Sequence, residues 1–447
     1  MKSSNVVFVF GDQWRAQAAG YAGNEAVQTP NLDRLAAEGV NVTHALAGCP
    51  VCSPYRASLM SGQFPLTHGV FVNDVCLAHR APSLADTFAA AGYARAYIGK
   101  WHIDGHGRSN YIPPERRQGF EYWKVLECTH DYNHSAYYAG DSAEKRYWDG
   151  YDAIAQTRDA QAYIRNRDRD SPFLLCLSWG GPHAPYDTAP DEYRALYAPD
   201  KIGLRPNVPD SVAEEARRNL AGYYAHCSAL DDCVGMLRAT LREEGIAEDT
   251  LFVFTSDHGD MLGSQGERKK QRPWEESIRV PFLLYGPSVL GPDPREVAAL
   301  LDAPDIMPTL LGLCGLEIPD TVEGLDYSEC LRGGPDPSDG AALLMCPHPF
   351  GQFARKGGGR EWRGLRTRRH TYVRDMNGPW LLYDNEADPY QQRNLVRDPA
   401  AADLRVELDA RLDRKLAAHN DAFLHGDEYI RKWGYRVNAN GTVPYLK

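Results

Sequence analysis

The chain opens on an unbroken apolar run, Val6 to Phe10, that stops at Gly11-Asp12. Five β-favouring residues with no polar alternation predict a strand buried on both faces of a parallel sheet. Thr29-Pro30 then starts a short helix that Gly39 stops. The same alternation recurs. Residues 83–91 predict a helix stopped by Gly92, and residues 93–99 the next strand. A helix over 150–168 precedes a strand at 173–179, and a helix over 212–244 precedes a strand at 251–256. This order predicts an α/β fold with a large, mostly parallel β-sheet sandwiched by helices. In such sheets ligands bind at the carboxyl ends of the strands. Asp12, Lys100 to His102, His183 and Asp257-His258 all fall there.

After about residue 330 the pattern changes. Residues 331–342 are rich in Gly, Pro and Asp, as linkers are. Residues 371–384 read as a hairpin around an Asn377-Gly378 turn, and residues 401–418 as a terminal amphipathic helix. The expected organisation is a main α/β domain over 1–340 and a smaller α+β subdomain over 341–447, with a small antiparallel sheet.

Composition narrows the function classes. With 447 residues, 43% hydrophobic and 24% charged, the chain has the make-up of a globular protein with a large core. A formal net charge of −11 argues against broad nucleic-acid or anionic-membrane binding. No apolar run approaches the roughly 18–20 residues of a membrane span. If Met1 is the native start, the expected location is cytoplasmic; if a signal peptide has been removed, it is periplasmic or secreted. The ten cysteines are scattered, unlike a small disulfide scaffold, and read mostly as buried thiols.

The sharpest chemical signal is Cys52-Ser53-Pro54-Tyr55-Arg56, followed by Ala57 to Gly62 and His68-Gly69. Pro54 suits the first turn of a helix with Ser53 as its cap, so Cys52 would sit where backbone N–H groups favour an anion. An isolated cysteine of this kind is usually structural. Cys49 and Cys52 also form a CxxC, but no second CxxC completes a zinc site. Asp12-Gln13 and Asp257-His258, each closing a strand, offer hard oxygen donors and an imidazole to one divalent cation.

The Cys-x-Pro-x-Arg motif resembles the signature of the sulfatase family, the formylglycine-dependent branch of the alkaline phosphatase superfamily. The resemblance runs from Asp12 to Pro281 and continues weakly beyond. It implies that Cys52 is oxidised to formylglycine by a maturation enzyme, and that the hydrated aldehyde attacks sulfur. It implies metal ligands at Asp12, Gln13, residue 52, Asp257 and His258. Calcium is expected. Gln13 stands where an aspartate is common, which leaves manganese open. It further implies catalytic roles for Arg56, Lys100, His102, His183 and Lys270. Lys100-Trp101-His102 is similar to the family's Lys-x-His, and Pro182-His183-Ala184-Pro185 to its Pro-His-x-Pro. Lys270 precedes Trp274-Glu275-Glu276, as a family lysine often does, with Lys269 as its neighbour.

The substrate pocket is expected from the His- and Tyr-rich segment 128–138, including His130 and His134. Further pocket candidates are Asn73, Asp74, His106, Arg108, His348 and Arg360. The implied function is hydrolysis of a sulfate monoester, expected to be a carbohydrate sulfate and alternatively an aryl sulfate. Three rivals remain: a phosphonate monoester or phosphodiester hydrolase of the same superfamily, a non-catalytic binding homologue should Cys52 stay unconverted, and a cysteine-nucleophile enzyme, which would need a base beside Cys52 and would leave the metal and lysine set unexplained. Oligomeric state, including a homo-oligomer, is left open.

Overall fold

The structure, a computed structural model, describes residues 4–446. Met1, on which the cytoplasmic expectation turns, lies outside the described residues. In chain order the strands are β1 (Asn5–Asp12), β2 (Val40–Val42), β3 (Ala94–Lys100), β4 (Tyr122–Leu126), β5 (Ala136–Ala139), β6 (Arg146–Tyr147) and β7 (Phe173–Pro182). They continue with β8 (Thr250–Ser256), β9 (Phe282–Tyr285), β10 (Arg295–Val297), β11 (Ala341–Cys346), β12 (Trp362–Thr367), β13 (His370–Asp375) and β14 (Gly378–Asp384).

Ten of these form one sheet in the order β10-β2-β9-β8-β1-β7-β3-β4-β5-β6. Its centre, β8-β1-β7-β3-β4, is parallel throughout. The margins, β2-β9, β9-β8, β4-β5 and β5-β6, are antiparallel. The sheet is therefore mixed and mostly parallel, with β1 at its middle.

Why β1 needs an unbroken apolar run follows from the pleat. Val6, Phe8 and Phe10 join one core cluster and Val7 and Val9 the other, because alternate side chains leave opposite faces. The first cluster is closed by the helices Cys52–Ser61 and Ala303–Cys314, the second by Asp152–Arg165 and Ala213–Glu243. No helix among the described residues is long and apolar enough to cross a membrane.

The second sheet is antiparallel, in the order β11-β12-β13-β14. One face packs on Leu408, Leu412 and Leu416 of the helix Ala402–Ala418. The other packs on Met261, Trp274, Ile278 and Leu300 of the main body. The chain then returns: Tyr429, Ile430 and Val443 lie in the first main-sheet cluster.

Two local readings change. Ser53 is not the cap of the helix Cys52–Ser61. The cap position is Val51, without a side-chain bond, and Ser53 lies inside the first turn. Its N–H is satisfied instead by Asn73 Oδ1 at 3.0 Å, a loop side chain doing the work of a local cap. The predicted helix at 150–168 is also shorter, Asp152–Arg165.

Candidate functional site

The carboxyl ends of four central strands converge on one buried cluster. β1 delivers Asp12 and Gln13, β8 delivers Asp257 and His258, β3 delivers Lys100 and β7 delivers His183. The helix Cys52–Ser61 points its first residue into the same place. One ligand atom each from Asp12, Cys52, Asp257 and His258 lie within 4.8 Å of one another. Asp12, Gln13, Asp257 and His258 are all fully buried.

Cys52 Sγ is at the centre. Lys270 Nζ lies 2.8 Å from it, His258 Nε2 3.2 Å and Asp12 Oδ1 3.6 Å. Lys100 Nζ donates to Asp12 Oδ2. Arg56 is held rigidly: Nε donates to Asp257 Oδ2 at 3.1 Å, and Nη1 donates to the Lys100 carbonyl at 2.8 Å and to Ser178 Oγ at 2.7 Å. Its guanidinium also lies over the Phe10 ring, 4.9 Å from the centroid.

The donor set fits a divalent cation. His258 Nδ1 faces the Gly259 carbonyl at 2.9 Å, which fixes the tautomer and leaves the Nε2 lone pair toward Cys52. Gln13 donates its backbone N–H to Asp257 Oδ1 at 3.0 Å and its side-chain amide to Asp260 Oδ2 at 2.6 Å. Its carbonyl, Oε1, is buried with no hydrogen-bond partner. A buried amide oxygen beside two aspartates is costly unless something positive meets it.

Charges around the cluster shift one another. Burial and Asp12 push the Cys52 thiol up, but Lys270, Lys100 and His258 outweigh them, and it sits well below its usual range. Burial likewise opposes ionisation of Asp12, yet Lys100, His183 and Lys270 hold it well below the usual carboxylate range. Burial, then Lys270, pulls His183 well down. Its Nδ1 faces the Ala184 carbonyl at 2.7 Å, which leaves Nε2 as the free nitrogen.

His102 behaves in the opposite way. Burial lowers it, but Cys128 and the Asp74 hydrogen bond raise it to about 9. Its Nε2 lies 3.2 Å from Asp74 Oδ1, and its Nδ1 has no hydrogen-bond partner. Gln13, Asp74, His102, Lys269 and Gln271 all have φ between 55° and 72°. Non-glycine residues in this left-handed region cost free energy and cluster at sites whose surroundings impose them.

The outer candidates divide. Asn73 caps the helix that carries Cys52. Arg108 reaches the cluster through Asp74, at 3.3 Å. His130 stacks on His183, centroids 4.8 Å apart, with burial and Lys100 lowering it to about 4. His106 lies beside Asp104, 3.3 Å from Oδ2. His134 stacks on Tyr147 at the surface, and Arg360 pairs with Asp375 over the Trp380 ring. His348 is packed between Gly426 and Gly441. Among the described residues, no hydrogen bond, ion pair or ring contact joins His134, Arg360 or His348 to the Cys52 cluster. Lys269 has its backbone on Asp260 while Lys270 meets Cys52, so the two neighbours separate. Sequence reasoning missed Asp260, Ser178 and Tyr445. Asp260 had one signal, its place two residues past His258; Tyr445 had none.

A parallel-centred sheet with acids, cations and a cysteine converging at its carboxyl edge defines a hydrolase of the alkaline phosphatase superfamily. The sulfatase family model matches residues 4–316, and the model for the N-sulphoglucosamine sulphohydrolase C-terminal region matches residues 263–418. An ulvan-active sulfatase of Formosa agariphila is 45% identical over 99% of this chain and 86% of its own length. An endo-4-O-sulfatase of Bacteroides thetaiotaomicron is 30% identical over 88% of each chain. A structure solved in work on glycosaminoglycan metabolism by Bacteroides thetaiotaomicron superposes with a TM-score of 0.85 at 27% identity, covering 96% of this chain and 99% of that one. The chain belongs to the sulfatase family, and it is an enzyme that hydrolyses sulfate esters.

Proposed function

We propose that this enzyme is a formylglycine-dependent, divalent-metal sulfatase acting on a sulfated carbohydrate. The observation that carries the reading is the surroundings of one atom. Cys52 Sγ sits at a helix N-terminus, within 3.6 Å of Lys270, His258 and Asp12. The sulfur stands in for the oxygens that conversion of Cys52 by a maturation enzyme would put there. The hydrated aldehyde supplies two hydroxyls on one carbon, one to attack sulfur and one to assist release of sulfate.

Asp12, Gln13 Oε1, Asp257 and His258 Nε2 would hold the cation, with residue 52 beside them. Calcium fits the oxygens, and the imidazole and amide leave manganese as the alternative. Such an ion supplies positive charge for the sulfuryl oxygens and lowers the pKa of a bound hydroxyl.

The remaining roles follow from placement. Arg56, locked by Asp257, Ser178 and the Lys100 carbonyl, orients residue 52. Lys100 and Lys270 present preorganised positive charge to the sulfuryl group. Burial and Lys270 keep His183 neutral until an anionic group enters. Its free Nε2 then aligns the leaving oxygen, and Lys270 is the nearby proton source. His102, oriented by Asp74 and with Nδ1 unpartnered, takes the proton of the second hydroxyl in its deprotonated form, which a pKa raised to about 9 makes the minor one at neutral pH. The carbohydrate assignment rests on the names of the ulvan-active and endo-4-O-sulfatase relatives.

The test is sulfate release from ulvan oligosaccharides by protein made with a maturation enzyme. No release from any sulfated saccharide would sink the substrate reading. The Asp12-Gln13 and Asp257-His258 pairs favour one alternative, a phosphonate monoester or phosphodiester hydrolase. Turnover of phenyl phosphonate esters faster than aryl sulfates by orders of magnitude would select it.

A further inference from the structure

The candidate base, His102, is held by a carboxylate that is itself held by a segment from the far end of the chain. Asp74 Oδ1 accepts from Tyr445 OH at 2.6 Å, and the same hydroxyl accepts from Arg108 Nε. Arg108 Nη2 adds bonds of 3.3 and 3.4 Å to the two Asp74 oxygens. Asp74 is thus gripped by three groups, one of them His102 Nε2. Both ends of the His102–Asp74 bond sit in the left-handed region, with φ of 61° and 67°. Residues in that state stay put only where neighbours over-determine them.

The segment carrying Tyr445 is fastened along its length. The Trp433 ring lies so close to Gly69 that a Cβ there would meet it at 2.5 Å. Tyr435 OH donates to the Gly69 carbonyl at 3.0 Å. The Asn440 carbonyl accepts from Gly351 at 2.8 Å, Val443 is buried in the main core, and Leu446 N–H donates to the Gly105 carbonyl at 2.9 Å. The Gly105 contact lies in the loop that follows Lys100 and His102. Residues 433–446 therefore run from Gly69, which caps the short helix Pro65–His68, to the loop that carries His102, and reach Asp74 through Tyr445.

We propose that Tyr445 is a positioning residue of the catalytic centre, fixing the Asp74 carboxylate so that His102 presents Nδ1 to residue 52. Arg108, 42% exposed at its side chain, is the second brace and the rim of this corner. The proposal rests on the reading of His102 as the base. Losing the Tyr445 hydroxyl leaves the ring packed but frees one side of a charged acceptor. A hydrogen bond to a charged group carries enough free energy for a loss of about tenfold in rate.

The experiment measures kcat and KM for sulfate release from ulvan oligosaccharides by matured enzyme, with melting temperature recorded for each variant. The variants are Tyr445→Phe, Asp74→Asn, their double mutant, and His102→Ala. Tyr445→Phe should lower kcat about tenfold, with KM and melting temperature close to wild type. The double mutant should match Asp74→Asn within about twofold, because Tyr445 acts only through that carboxylate. A Tyr445→Phe enzyme with wild-type kcat overturns the proposal, as does a double mutant whose two losses multiply. Loss of melting temperature in step with kcat would assign Tyr445 a structural role and overturn it too. Wild-type kcat in His102→Ala would instead remove the His102 reading, and the role of Tyr445 with it.

Discussion

Two buried arginines, Arg56 and Arg363, anchor two buried charge networks, and the networks differ in what they leave unfinished. Around Arg363, in the small sheet, Nε and Nη2 grip both oxygens of Asp421, Nη1 bonds the Trp362 carbonyl, and Tyr429 OH closes the set. Asp421 in turn accepts from Tyr429 and from the Phe423 N–H. Around Arg56 the guanidinium is equally well bound, but its surroundings are not. Gln13 Oε1 and His102 Nδ1 lack partners, two lysines crowd one cysteine, and five non-glycine residues take left-handed backbone angles. A saturated network fixes packing. One that keeps open acceptors and strain in a buried place is arranged for something that enters.

The contrast can be broken first at residue 52. Cys52→Ala should abolish sulfate release, a loss of about a thousandfold or more, with melting temperature nearly unchanged. At the saturated network the reverse is expected. Arg363→Met leaves Asp421 buried without its ion partner, at about 3–5 kcal/mol of stability, read by denaturant titration, while matured protein that stays folded keeps its kcat. Lys100→Ala should lower kcat by about a hundredfold, because it removes one preorganised charge, and it should leave KM less affected than kcat.

Smaller effects sharpen the comparison. Asp260→Asn weakens the grip on Gln13 Nε2 and should lower affinity for calcium or manganese about tenfold, measured by calorimetric titration. The smallest concerns an exposed pair of the second sheet. Hydrogen bonding to Arg369 lowers the Asp384 pKa from 3.8 to about 2. A depressed carboxylate adds stability above its unfolded pKa, and the gain is lost as pH falls through the folded value. Arg369→Ala should therefore flatten the stability curve below pH 4, by a small amount because solvent screens so exposed a pair.

Much of this was legible in the residues. β1, β7 and β8 announce themselves because burial on both faces demands a long apolar run. β2, β6 and β10 do not, since two or three residues carry no period. The residues of the central cluster were readable because strand-end loops and one short motif bring them in. The outer ones were not. Arg360 and His134 look like binding residues by type, yet they sit in a surface ion pair and a surface ring stack. The Tyr445 contact joins positions 371 residues apart, and no local pattern records such a contact. Ser53 looked like a cap until the fold supplied Asn73 from a separate loop.

The central claim is that residue 52 works as an aldehyde hydrate rather than as a thiol. The most direct measurement is the mass of the peptide containing residue 52, taken on matured protein alongside its sulfate-release activity. The account predicts the mass of formylglycine in the active preparation and an inactive protein wherever the cysteine persists. Full activity from a preparation whose peptide carries only cysteine would contradict it.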